Sequence, residues 1–213
     1  MTAPEDVAPL EEPFECTLDF QPGWIDLTLR EGTKAEATVL ARKVVNSLNP
    51  LGLEIEKSAA FDDMVDRAVD LNENMPTLAA AYYSEAGEAL ANLLVDSYGD
   101  EGVPRPGMDD VIPLLLKWGN AKILGEVQIT KLDLAGGPAV RVQAMAQVKR
   151  MFGFGRKIAE FIKYAVFPPD MQSLIIVTVT WEKIALTEQI TELADEAVRT
   201  LRITPLGPGG GKE

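Results

Sequence analysis

Residues Ile123–Val148, ILGEVQITKLDLAGGPAVRVQAMAQV, decide the fold. Val127, Ile129, Leu132 and Leu134 place β-branched and aliphatic side chains along the first half. In the second half Val142, Ala144, Ala146 and Val148 alternate with Arg141, Gln143, Met145 and Gln147. Such period-two alternation marks a strand with one buried and one wet face. Between the halves, Ala135-Gly136-Gly137-Pro138 offers a glycine pair for positive φ and a proline to fix the exit. The stretch predicts a β-hairpin, beside which the other strands pair and over which helices pack.

Working outward, a chain of 213 residues is long enough to bury a substantial core. Its 46% hydrophobic and 25% charged content is that of a globular protein. No apolar run approaches the roughly 18–20 residues of a membrane helix. Met1-Thr-Ala-Pro-Glu-Asp has neither the positive nor the apolar region of a signal peptide, and the single Cys16 makes no internal disulfide. These features point to the cytoplasm and to no integral membrane segment. A net charge of −13 opposes nucleic-acid binding, which requires cations to displace counterions from phosphates. The absence of histidine removes Ser-His-Asp and Cys-His nucleophile systems, histidine general bases and histidine-ligated zinc.

Residues 1–13, acidic and proline-containing, are expected to form a disordered lead-in. Phe14–Phe20 alternates apolar and polar residues and reads as a strand with Cys16 on its buried face, where a thiol acts as a small hydrophobe. Gln21-Pro22-Gly23 is turn chemistry, and Trp24–Leu29 reads as a second strand. Thr33 and Glu36 have capping-box spacing at the start of a helix that ends at Asn49-Pro50-Leu51-Gly52. A second helix is expected over about Ser58–Asn74, with Asp62, Asp63, Asp66, Asp70 and Glu73 on a solvated face. These carboxylates lack a glycine-containing calcium loop, so no metal is expected. Residues 77–99 read by propensity as helix, although Glu85-Ala86-Gly87-Glu88 also suits a hairpin turn. Asp109 or Asp110 is the expected cap of a short helix through Trp118. After a strand over Phe161–Phe167, the near-continuous apolarity of Leu174–Trp181 predicts a central strand covered on both faces. A helix over about Lys183–Thr200, a closing strand at Leu201-Arg202-Ile203-Thr204 and a flexible Gly/Pro tail over 205–213 complete a single domain over 14–204.

Chemistry is sparse. Gly153-Phe154-Gly155 lacks the third glycine and the strand-to-helix context of a dinucleotide fingerprint, and no cofactor is expected. The pairs Asp109–Asp110 and Asp195–Glu196 are sequence neighbours whose side chains diverge, which makes poor acid–base pairs. No catalytic residue is assigned. The candidate site is the basic, aromatic run of Lys149, Arg150, Met151, Phe152, Phe154, Arg156 and Lys157. It suits docking onto an acidic protein partner, a membrane surface or nucleic acid, the first being expected, and otherwise reads as a mobile strand connection whose aromatics cap the core. From Lys149 to Lys163 cations outnumber the single acid Glu160, against the sign of the whole chain.

The chain resembles the Mog1/PsbP-like α/β/α sandwich family, which includes DcrB- and LpqN-type proteins. The residues carrying the resemblance are Phe20-Gln-Pro-Gly-Trp24, the Leu132–Arg141 hairpin, Tyr164-Ala-Val-Phe-Pro-Pro, Leu174-Ile-Ile-Val-Thr-Val-Thr and the helix ending Ala197-Val-Arg-Thr-Leu-Arg202. The resemblance implies an α+β fold, a twisted antiparallel sheet of about six or more strands with helices on both faces. It favours the hairpin reading of residues 77–99. It also implies binding rather than catalysis. The expected function is a non-enzymatic cytoplasmic adaptor, in its narrower form a chaperone for a secreted or membrane-inserting client. The alternatives are a structural subunit of a bacterial secretion or injection assembly and, behind it, a histidine-independent enzyme.

Overall fold

The run LIIVTVTW forms β8 (Leu174–Trp181), the middle strand of a seven-stranded sheet. The computed structural model describes residues 12–48, 57–119, 121–149 and 156–206. On one side β8 pairs with β4 (Ala89–Tyr98), then β3 (Leu78–Tyr83) and β2 (Trp24–Asp26). On the other side it pairs with β7 (Arg156–Val166), β6 (Gly137–Lys149) and β5 (Lys122–Leu134). Every pairing in the sheet is antiparallel. A separate ribbon joins β1 (Phe14–Thr17) to β9 (Arg202–Pro205).

Helices cover both faces, as expected. α4 (Thr187–Arg199) buries Ile190, Ala194 and Val198 against Ile162, Tyr164, Val177, Val179 and Trp181. On the opposite face α1 (Lys34–Leu48) and α2 (Lys57–Leu71) pack over Ala81 and Tyr83 of β3. α3 (Met108–Leu115) packs on that same face over Val140, Val142, Ala165 and Ile176. Each large apolar side chain removed from water in these layers contributes about 2 kcal/mol. Asn72, buried just beyond α2, ties the layers together by donating to the Leu27 and Ala68 carbonyls and accepting from the Leu29 N–H.

The β5–β6 hairpin turns through Ala135-Gly136, because Leu134 pairs with Gly137. Only Gly137 of the glycine pair takes a positive φ, +133°. A Cβ there would stand 2.5 Å from the Phe167 carbonyl oxygen, so the close crossing of backbone, rather than the turn, selects this glycine.

Several boundaries differ from expectation. Arg141 was assigned to the wet face of β6 yet is 8% exposed, because α4 covers that face as well. Period-two polarity records side-chain type, and a polar residue tolerates burial when it is paired. Residues 78–98 form the β3–β4 hairpin that the resemblance favoured, against the helix that alanine and leucine propensity suggests. Ala79, Ala80 and Ala81 are fully buried in a strand covered on both faces, where small side chains suit the close layers. β7 starts at Arg156, well before Phe161, so Arg156 and Lys157 belong to a strand and not to a loop. Gly107, not Asp109 or Asp110, caps α3. Thr33 accepts the Glu36 N–H at 3.2 Å, but the Glu36 carboxylate accepts from Arg30 and Glu31 at 2.7 and 3.0 Å, bracing the approach to α1 instead of returning to Thr33. The Glu12 carboxylate accepts from the backbone of Gln172 and Ser173. The rest of the acidic lead-in, the α1 stop at Asn49-Pro50-Leu51-Gly52 and residues 207–213 lie outside the described residues.

Candidate functional site

The basic run predicted from sequence is divided by the sheet. Lys149 ends β6 and Arg156 begins β7, and their backbones pair at the end of that hairpin next to the connecting residues 150–155. Arg150, Met151, Phe152 and Phe154 lie outside the described residues. Lys157 forms an ion pair with Glu182 at 2.6 Å. Lys163 stands apart from them. Its ammonium donates to the Lys117 carbonyl at 3.0 Å and lies 5.4 Å from the Phe161 ring, and burial lowers its pKa. Lys163 therefore does not extend the basic end.

Lys157 also lines a cleft of about 500 Å³, which the sequence reading did not find. The cleft follows from the helix layout: α1 and α2 cover one end of the sheet face, α3 covers the other, and no helix among the described residues covers the strip between them. Its floor is Asn92 of β4, Thr180 of β8 and Ala159 of β7, with Arg67 of α2 and Trp118 at its walls. The expectation that β8 is covered on both faces holds at Leu174 and Ile176 and fails farther along, where Thr178 and Thr180 are half-buried. Those two threonines, at alternate positions of an otherwise apolar strand, are the sequence signal for the opening.

Arg67 is held firmly. Its guanidinium donates to both oxygens of Asp63 at 2.8 and 3.1 Å and to Asn92 Oδ1 at 3.0 Å. Tyr83 Oη donates to Asp63 at 2.7 Å. Burial works to raise the Asp63 pKa, but the hydrogen bonds from Arg67 and Tyr83 outweigh it and hold the carboxyl below its ordinary value. Burial and then Asp63 raise the Tyr83 pKa. Asp63 therefore leaves the solvated acidic face assigned to α2, whereas Asp66, paired with Lys34 at 3.4 Å, stays on it. At the rim Lys183 pairs with Glu88 at 2.5 Å. Trp118 packs edge-on against Phe161 with ring centroids 5.3 Å apart.

A second polar cluster lies under α4. Arg141 Nε donates to Asp195 at 2.8 Å, a second guanidinium nitrogen donates to Gln143 at 2.8 Å, and Tyr164 Oη donates to the same Asp195. One turn away Gln143 donates to Thr191 at 3.2 Å, and a further turn away Thr187 donates to Glu160 and accepts from Trp181 Nε1. Residues 187, 191 and 195 share one stripe of α4, which makes this cluster a polar seam between helix and sheet. Burial and then Asp195 raise the Tyr164 pKa. Of the paired carboxylates, Asp195 is engaged in this seam and Asp109 is ion-paired with Lys131 at 2.7 Å. Cys16 is half-buried, and burial pushes its thiol up to about 11.

Among the described residues no group of three or more metal-ligating side chains occurs, and no helix is long and apolar enough to cross a membrane.

No family model and no curated protein matches the chain. Among solved structures it is similar to LpqN of Mycobacterium tuberculosis, described as involved in cell envelope biogenesis. The TM-score is 0.51 at 10% sequence identity, covering 93% of this chain and 90% of that one. The likeness establishes an LpqN-type fold, in agreement with the resemblance read from the sequence.

Proposed function

We propose that this chain is a non-enzymatic binding protein that works in the cytoplasm as an adaptor or chaperone for a client destined for the cell envelope. The observation that carries this reading is the end of the β6–β7 hairpin next to residues 150–155, where the backbones of Lys149 and Arg156 pair and the following Lys157 lines a cleft, in a chain of net charge −13. A local concentration of cations on an acidic protein orients an acidic partner and repels basic ones. The closed arrangement of the two inner charge clusters supports the same reading. Asp63 and Asp195 each accept from an arginine and a tyrosine, the arrangement of anchoring groups rather than of free acids and bases. The envelope role described for LpqN supports the choice of client.

Charge reversal tests the proposal. The client is identified by affinity capture and then titrated as purified protein against wild type and a variant with Lys149, Arg150, Arg156 and Lys157 all changed to Glu. Salt-sensitive binding that weakens about tenfold or more in the variant is expected. Equal affinity for both proteins contradicts the reading.

A second reading, a structural subunit of a larger assembly, is supported by β5. This thirteen-residue strand is an outer strand of the sheet, and among the described residues no strand pairs with its far edge. Light scattering on native complexes separates the two, because a subunit elutes in a fixed stoichiometric particle and an adaptor in a dissociating one.

A further inference from the structure

We propose that the cleft between α2 and Trp118 binds a small organic carboxylate carrying a flat apolar ring, a role separate from the basic hairpin end. Several polar groups there are already engaged. Asn92 Oδ1 accepts from Arg67, and the carboxylates of Glu88 and Glu182 are held by Lys183 and Lys157. The Asn92 side-chain N–H groups, the Thr180 hydroxyl and the Trp118 indole N–H have no partner among the described residues, and Arg67 retains guanidinium hydrogens beyond those given to Asp63 and Asn92. Asn92, Trp118 and Arg67 contribute donors alone, and they converge on the cleft from three elements, so acceptor oxygens on a ligand satisfy them. Arg67, Lys157 and Lys183 are each ion-paired, with Asp63, Glu182 and Glu88, so the preference for a carboxylate comes from the spare guanidinium hydrogens of Arg67 and not from net charge.

Arg67 is the natural anchor. Asp63 and Asn92 fix its guanidinium, so little side-chain entropy remains to be lost when a carboxylate docks. Charge-assisted hydrogen bonds to a planar guanidinium suit that anion. Of the apolar lining residues, Leu90, Ala91 and Trp181 belong to the core on the α4 face, and Trp118, Ala159 and Ala89 are left to meet a flat ring. The volume, about 500 Å³, is within the range of small-molecule sites.

The probe is 2-naphthoate, with uncharged 2-naphthamide as its matched control, titrated into the isotopically labelled full chain and followed by NMR. Saturable shifts are expected at the Trp118 indole N–H and the Asn92 side-chain amide, at millimolar or lower dissociation constants, with the amide weaker by about tenfold. Thr180→Val keeps the strand shape and removes one donor, so weaker binding with an otherwise unchanged spectrum is expected. Arg67→Gln is expected to weaken the acid more than the amide. Equal affinity for acid and amide, shifts that never saturate at Trp118 and Asn92, or unchanged binding in Thr180→Val overturns the proposal. The Thr180→Val comparison stands even where loss of the Asp63 pair unfolds Arg67→Gln.

Discussion

Asp195 on α4 holds the guanidinium of Arg141 at 2.8 Å, at a strand position where the alternation of the sequence places solvent. The pair is the point at which the helix layer and the sheet are joined by charge as well as by apolar contact. Removing one partner strands the other in a poorly hydrated layer. Asp195→Ala is expected to cost about 3 kcal/mol, and the double replacement Arg141→Met with Asp195→Leu less than that single change. Urea unfolding of both variants measures the difference, and a double variant less stable than the single one contradicts it.

The ion pair on the other face gives a pH dependence. The Asp63 pKa is depressed in the fold, because the hydrogen bonds from Arg67 and Tyr83 outweigh the opposing effect of burial. Its stabilising contribution is therefore present above the ordinary carboxylate pKa and is lost as pH falls through the lower folded value. Thermal unfolding of wild type and Asp63→Asn is expected to show a gap at neutral pH that narrows on acidification. A constant gap argues that Asp63 acts through packing alone.

Gly137 and Gly102 separate space from backbone conformation. Both have positive φ, +133° and +74°, but a Cβ meets the Phe167 carbonyl oxygen at 2.5 Å in the first and nothing within 4 Å in the second. Gly102→Ala is expected to cost about 1 kcal/mol, from the left-handed backbone alone. Gly137→Ala is expected to cost more, because the strand must also shift from Phe167. Equal chemical denaturation midpoints for the two variants contradict this.

Cys16 is expected to resist thiol reagents at neutral pH, since burial pushes its pKa up to about 11 and the thiolate is the reacting form. Labelling should accelerate sharply once denaturant unfolds the chain. Rapid labelling of the folded protein places Cys16 in an opening segment of the β1–β9 ribbon.

What was legible in the sequence depended on whether one element carried the signal. The β5–β6 hairpin and β8 were read from local alternation and apolarity, because strand faces print directly onto every second residue. Residues 78–98 were not, because Ala79–Ala81 are small for the sake of layers packed on both sides, and single-sequence propensity does not see those layers. The seam of Arg141, Asp195 and Tyr164 was missed because α4 and the sheet lie far apart along the chain. The cleft was missed for the same reason, with Arg67, Asn92, Trp118 and Thr180 drawn from separate segments. The basic run was visible as composition, but its division between β6 and β7 depended on pairing register.

The proposed client is engaged from the end of the β6–β7 hairpin. Photoreactive benzoylphenylalanine placed singly at Phe152, or at the exposed Val39 of α1, tests it directly when each protein is irradiated with the purified client. A specific, salt-sensitive adduct from position 152 and none from position 39 is the predicted result. No adduct from position 152, or equal adducts from both positions, contradicts the account.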